Sequence, residues 1–189
     1  MKQYIVGPKW DQRVITIDPK GDKIGIAMSG GIDSWVLYNL LPNKDNIIIY
    51  TFETPSGVDD VETVYKLTGR DDIIVLPTMP EDPTPVKNGL KVLVREYGLN
   101  QLYTGVNQVP HYKYFPEFQE ENEPPRPWRI DSDVLITPFL HLYKYHIIWL
   151  AKDLGIDLSG TQSCTTQPVG HCGTCWWCRE KQWAYDQLK

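Results

Sequence analysis

A doubly wound α/β fold, a parallel sheet with helices on both faces and a cysteine knuckle at its C-terminal end, is what this sequence predicts. Three observations lead there. Short β-branched runs alternate with amphipathic stretches at the spacing of βαβ units. A glycine-rich hexapeptide follows the first buried run, where such sheets bind ligands. All four cysteines fall within residues 164–178.

The elements follow in order. Residues 1–20 read as a short extension or an edge strand at 14–17. The apolar run 23–28 predicts a buried strand, and 34–41 a helix that ends before Pro42. A strand at 47–51 precedes a helix at 58–67, with Asp59, Asp60 and Glu62 near its positive end and Gly69 stopping it. A strand at 73–76 leads through a proline-rich connection, 77–85, to a helix at 86–97 with Leu90, Leu93 and Val94 on one face and Gly98 as its stop. Strands at 102–104 and 134–137 flank a long loop, 105–128, and loops of that length are usually functional. Helices at 143–154 and 179–188 complete the chain. There is no internal repeat, so one domain over 1–189 is expected, with 163–189 as its metal-binding segment.

Composition narrows the function. A net charge of -5 argues against a protein built to grip a phosphate backbone, so nucleic acid is not the expected partner. Lys113, Arg126 and Arg129 could still form a local basic patch, or be scattered solvated charges. No apolar run approaches the roughly 18 residues that span a bilayer, so no membrane partner is expected. Residues 1–10 mix charge, glycine and proline and lack the apolar core of a signal peptide, so the expected location is cytoplasmic.

Ser29-Gly30-Gly31-Ile32-Asp33-Ser34 lies between the first buried strand and its helix. The glycines let the backbone approach an anion, and the loop N–H groups with the helix N-terminus would receive it. Ser29 and Ser34 add hydroxyl donors, and Asp33 suits a Mg²⁺ ion or the ordering of the loop. The pattern is not the ordinary phosphate loop, because no lysine follows the glycines. The alternative is a tight turn with Asp33 or Ser34 as helix N-cap.

Cys164, Cys172, Cys175 and Cys178 are spaced C-x7-C-x2-C-x2-C. In a reducing compartment that clustering points to metal before disulfides. Four thiolates fill the tetrahedral shell of zinc and leave no position for water, so the site is expected to be structural. His171 is an alternative ligand, and an iron–sulfur cluster the competing reading.

The hexapeptide resembles the signature of the PP-loop ATP pyrophosphatases, whose fold is the adenine nucleotide alpha-hydrolase-like (HUP) sheet. With the four-cysteine segment, the chain resembles one branch, the QueC family of 7-cyano-7-deazaguanine synthases. Further matching stretches are Leu102-Tyr103-Thr104-Gly105-Val106-Asn107, then Ile136-Thr137-Pro138-Phe139-Leu140 through Lys144 to Ile156, and Gln162-Ser163-Cys164 with His171 to Arg179. The resemblance implies an ATP-dependent conversion of a deazapurine carboxylate to a nitrile with ammonia. The acid is adenylated, ammonia gives the amide, and a second adenylation permits dehydration. It implies that Ser29, Asp33 and Ser34 are catalytic and that Met28, Ser29, Gly30, Gly31, Ile32, Asp33 and Ser34 hold the ATP phosphates with Mg²⁺. Tyr50, Phe52 and Glu53 would border the adenosine, with Gly105 and Asn107 at the mouth. It also implies a homodimer and a structural Zn²⁺.

Two stretches depart from the family. Phe52-Glu53-Thr54-Pro55 stands where Tyr-Gly-Gln-Arg is typical, and residues 109–118 lack the Asp-Cys-Arg core of the substrate loop while keeping Pro116, Glu117 and Phe118. Tyr112, Tyr114 or Phe115 could instead stack on a related heterocyclic acid, or simply pack against the sheet. The competing functions are another PP-loop activity, such as tRNA thiolation or sulfonucleotide reduction, and a non-catalytic ATP-binding relative. Thiolation would need cysteines outside a closed metal site, and none exists.

Overall fold

The computed structural model describes residues 1–53, 60–77, 93–110, 112–115, 133–167 and 170–189. The elements are β1 (Lys2–Val6), β2 (Arg13–Ile17), β3 (Ile24–Ala27), α1 (Ile32–Leu40), β4 (Ile47–Glu53), α2 (Asp60–Thr68) and β5 (Ile74–Pro77). They continue with α3, whose described end covers 93–97, then β6 (Gln101–Thr104), β7 (Leu135–Ile136), α4 (Lys144–Asp153) and α5 (Trp176–Asp186). Short 3₁₀ turns occupy Lys44–Asn46 and Tyr112–Tyr114. The proline-rich connection and most of the long loop lie outside the described residues.

Five strands form a parallel sheet in the order β5-β4-β3-β6-β7. The chain winds from β3 outward through β4 to β5, then returns to the other side of β3 for β6 and β7. Helices pack on both faces, α1, α2 and α4 in one core cluster and α3 in the other. The reversal lies between β3 and β6, and in open α/β sheets the carboxyl ends of the strands at such a switch point are where ligands bind.

Side-chain alternation divides the core accordingly. Ile24, Ile26, Ile47, Ile49 and Tyr103 face α1, α4 and Val64 of α2 in the larger cluster. Tyr50 and Leu102, with Ile48 and Phe52, face Leu93 and Val94 of α3 on the opposite side. Full burial of each aliphatic side chain contributes about 1.5–3 kcal/mol, so the two-sided run pattern outweighs weak local propensity.

The N-terminal segment differs from the expected extension or edge strand. β1 and β2 pair antiparallel as a separate two-stranded ribbon, with Tyr4 opposite Ile15. Val6, Ile15 and Ile17 turn inward, while Ile5 and Val14 face solvent. The ribbon is held by tertiary contacts that sequence period does not encode. The buried His146 of α4 places Nε2 3.1 Å from the Asp11 carbonyl, and the Tyr145 hydroxyl donates to Asp11 Oδ2.

Two helices begin earlier than expected. α1 starts at Ile32, with Gly31 as N-cap and no side-chain cap. α5 starts at Trp176, inside the cysteine segment.

Candidate functional site

The glycine hexapeptide leaves β3 at its carboxyl end and enters α1 at the switch point between β3 and β6. The Met28 N–H donates to the Tyr50 carbonyl at 2.7 Å, which carries the ladder one residue past β3. Gly30 then takes a left-handed conformation, φ 71°, open to few other residues. The Ser34 hydroxyl donates to the Gly31 carbonyl at 3.1 Å and accepts from the Ser29 N–H at 3.3 Å. Asp33 and Ser34 thus sit within the first turn, and neither is the N-cap. No side chain among the described residues caps the N-terminal N–H groups of α1, an arrangement that suits an anion.

Gly105, at the end of β6, abuts this turn. A Cβ there would stand 2.8 Å from the Asp33 carbonyl carbon and the Ser34 nitrogen. Gly31 contrasts with it: a Cβ would meet only Ser29 Oγ at 3.3 Å and the Gln162 carbonyl at 3.7 Å. Among the described residues that side of the loop is open, as a cradle for an anion would require.

The sequence reading missed the group beneath the loop. Lys144, the first residue of α4, is 4% exposed, and its Nζ lies 2.5 Å from Asp33 Oδ2 and 3.4 Å from Glu180 Oε2. Burial alone would lower the Lys144 value, but Asp33 and then Glu180 outweigh it and hold the ammonium above its ordinary range. Burial raises Glu180, against the pull of Lys144 and Asn107. The other Asp33 oxygen is buried and takes no hydrogen bond among the described residues. A signal for Glu180 existed: Trp176, Glu180 and Ala184 recur every four residues on the buried stripe of α5, and a carboxylate there demands a cation.

The remaining expected site residues are distributed as follows. Ile32 and Met28 bury their side chains in the core. Tyr50 is fully buried, edge-on to Tyr97 at 5.6 Å, and burial pushes its phenol up to about 12. Phe52 is half-buried, and Glu53 ends β4 with its side chain outside the described residues. Asn107 is buried, its amide 3.4 Å from the Gln108 carbonyl. Phe115 is 2% exposed and edge-on to Trp176 at 4.8 Å, so it packs against α5 and offers no face to a heterocycle. Tyr114 is half exposed beside Trp183. The Tyr112 side chain, Arg126 and Arg129 lie outside the described residues, and Lys113 is exposed.

Cys164, Cys172, Cys175 and Cys178 gather their sulfurs within 4.8 Å of one another. The Cys172 and Cys178 sulfurs are 3.9 Å apart. Tetrahedral zinc at about 2.3 Å from each sulfur would separate ligands by about 3.8 Å, so the cluster fits such an ion. Hydrogen bonds from the Thr166 and Thr174 hydroxyls draw the Cys172 thiol down to about 5, while burial pushes Cys178 up to about 12. A cation would take all four as thiolates. His171 lies beside the group, with Nδ1 4.0 Å from Cys178 Sγ and Nε2 3.0 Å from Lys181 Nζ.

The cysteine segment touches the glycine loop directly. The Gln162 N–H donates to the Gly30 carbonyl at 2.9 Å, and the Gln162 side chain donates to the Cys164 carbonyl at 3.3 Å. No helix among the described residues is long and apolar enough to cross a membrane.

Known proteins share stretches of this chain. A 7-cyano-7-deazaguanine synthase from a Nitratiruptor species is 29% identical over 133 aligned residues, the match covering 59% of this chain and 59% of that protein. The match therefore spans less than two thirds of the relative's length. An NH3-dependent NAD synthetase from Campylobacter jejuni subsp. jejuni NCTC 11168, in complex with the nitrate ion, aligns with a TM-score of 0.41 and 18% identity over 74% of this chain and 66% of that one. The family model described as queuosine biosynthesis protein QueC matches residues 90–189, more than half of the chain, including Lys144, the four cysteines and Glu180. On that match, the chain belongs to the QueC family.

Proposed function

We propose that this chain is an ATP-dependent, AMP-forming ligase that converts a carboxylate on a deazapurine-type heterocycle to an amide and then a nitrile, with ammonia. The observation that carries the reading is the uncapped glycine loop at the reversal between β3 and β6. The first-turn N–H groups of α1, which no side chain among the described residues caps, suit a polyphosphate.

In this reading Ser29, Gly30, Gly31, Asp33 and Ser34 hold the triphosphate, with the Met28 and Ile32 backbone beside it. Tyr50, Phe52 and Glu53 border the adenosine, and Gly105 and Asn107 shape the mouth. Asp33, with one buried oxygen unpartnered among the described residues, would hold Mg²⁺, which supplies charge neutralisation at the departing pyrophosphate. The substrate carboxylate attacks the α-phosphorus and pyrophosphate leaves. Ammonia then displaces AMP to give the amide. A second adenylation on the amide oxygen lets AMP depart with that oxygen, and loss of two protons from nitrogen leaves the nitrile. The protein's contribution is alignment and charge stabilisation.

The four cysteines would hold a structural zinc ion with no open position. The same reading takes 1–189 as one domain with 163–189 as its metal segment, working as a homodimer in the cytoplasm. Incubation with ATP, Mg²⁺, ammonium and 7-carboxy-7-deazaguanine, followed by mass spectrometry, tests the proposal. AMP together with nitrile is the expected result. AMP without nitrile would move the substrate to another heterocyclic acid, and neither product would overturn the ligase reading. An Asp33→Ala variant should lose turnover.

A further inference from the structure

Two paths lead from the cysteine cluster to the glycine loop. The first is backbone: Gln162, two residues before Cys164, donates its N–H to the Gly30 carbonyl at 2.9 Å. The second is ionic. Glu180 stands two residues after Cys178 on α5, is 0% exposed, and its Oε2 lies 3.4 Å from Lys144 Nζ. That ammonium lies 2.5 Å from Asp33 Oδ2 in the loop. An ordinary stripe of α5 would carry an aliphatic residue at position 180, between Trp176 and Ala184. A buried carboxylate costs desolvation that an aliphatic group does not, and the cation beside it offsets that cost only at close range.

We infer that Glu180 is a positioning residue: it fixes Lys144 against Asp33 and so links the four-cysteine segment to the geometry of the phosphate loop. Lys144 sits between two carboxylates on different helices, and its long side chain has many rotamers when either is lost. Asp33, on the loop, is then free to turn. The inference rests on the nucleotide reading only for what the loop holds; the strut itself is defined by residues 33, 144 and 180.

The test uses the full chain carrying bound metal, as wild type, Glu180→Gln and Glu180→Asp. Gln keeps the shape and removes the charge, while Asp keeps the charge one methylene short. Three quantities are measured: cadmium–thiolate absorbance after metal exchange, hydrogen–deuterium exchange of peptides covering 29–34 and 164–178, and ATP·Mg²⁺ affinity by calorimetry. The expected result for Glu180→Gln is unchanged thiolate absorbance and unchanged exchange at 164–178. Loop 29–34 should exchange about ten- to a hundredfold faster, with a comparable loss of ATP affinity. Glu180→Asp should fall between it and wild type, and decides the matter alone if the Gln variant does not fold. Loop exchange and ATP affinity at the wild-type level in a folded, metal-loaded variant would overturn the inference. So would joint loss of the thiolate absorbance, which would make Glu180 part of the metal segment's own packing. If the wild type binds no ATP, the nucleotide reading fails, and the exchange comparison still decides the strut.

Discussion

Lys144 Nζ donates to Asp33 Oδ2 at 2.5 Å, joining the first turn of α4 to the first turn of α1 across 111 residues of sequence. The contact places a buried cation beneath a loop otherwise suited to anions. It also balances a carboxylate that would repel them.

Replacement of Lys144 by methionine leaves Asp33 and Glu180 facing each other without the cation between them. Breaking a buried pair in this way costs about 3–5 kcal/mol, so Lys144→Met should shift the urea midpoint well below wild type. A loss under about 1 kcal/mol would show that the ion pairs contribute little to the folded state.

Gly105 and Gly31 should respond in opposite ways. A Cβ at Gly105 would press on the Asp33 and Ser34 backbone at 2.8 Å, so Gly105→Ala should destabilise the fold by about 1–3 kcal/mol. Among the described residues Gly31→Ala meets nothing closer than 3.3 Å and should fold with little loss, yet lose ATP binding because its methyl fills the cradle. Thermal melts with and without ATP·Mg²⁺ separate the two, and equal behaviour would refute the cradle.

One zinc ion per chain is expected by elemental analysis. Chelation should lower the melting temperature, because metal binding is part of the folding free energy of α5 and its flanks. Cys164→Ser should lower the metal content. A chain that keeps its melting temperature after the metal is stripped would contradict the structural role.

His146 makes the N-terminal ribbon sensitive to acid. Its Nδ1 accepts from the Tyr143 N–H at 3.1 Å, which leaves Nε2–H to donate to the Asp11 carbonyl at 3.1 Å. Burial, and then Arg13, hold its value below the ordinary 6.5, against the nearby Asp11 carboxylate. The unfolded chain therefore binds the proton first. The stabilising contribution is complete above about 6.5 and falls as pH drops toward the folded value, by up to about 1.4 kcal/mol per pH unit. Urea unfolding between pH 7.5 and 5.5 should show the decline, and His146→Gln should flatten it. An equal slope in the variant would assign the effect to other groups.

The order of alternating runs, the glycine loop after the first of them and the cysteine spacing were all legible in the sequence. Each is a local pattern in which residues a few positions apart dictate backbone shape or share one ion. Tertiary structure alone decided that β6 lies on the far side of β3, that β1 and β2 form a ribbon apart from the sheet, and that Phe115 packs on Trp176. It alone brought Asp33, Lys144 and Glu180 together. Those three come from different helices, and nothing in the period or propensity of one helix specifies which face of another it will meet. A buried charge finds its partner only once the apolar faces have closed around it, because until then water solvates both.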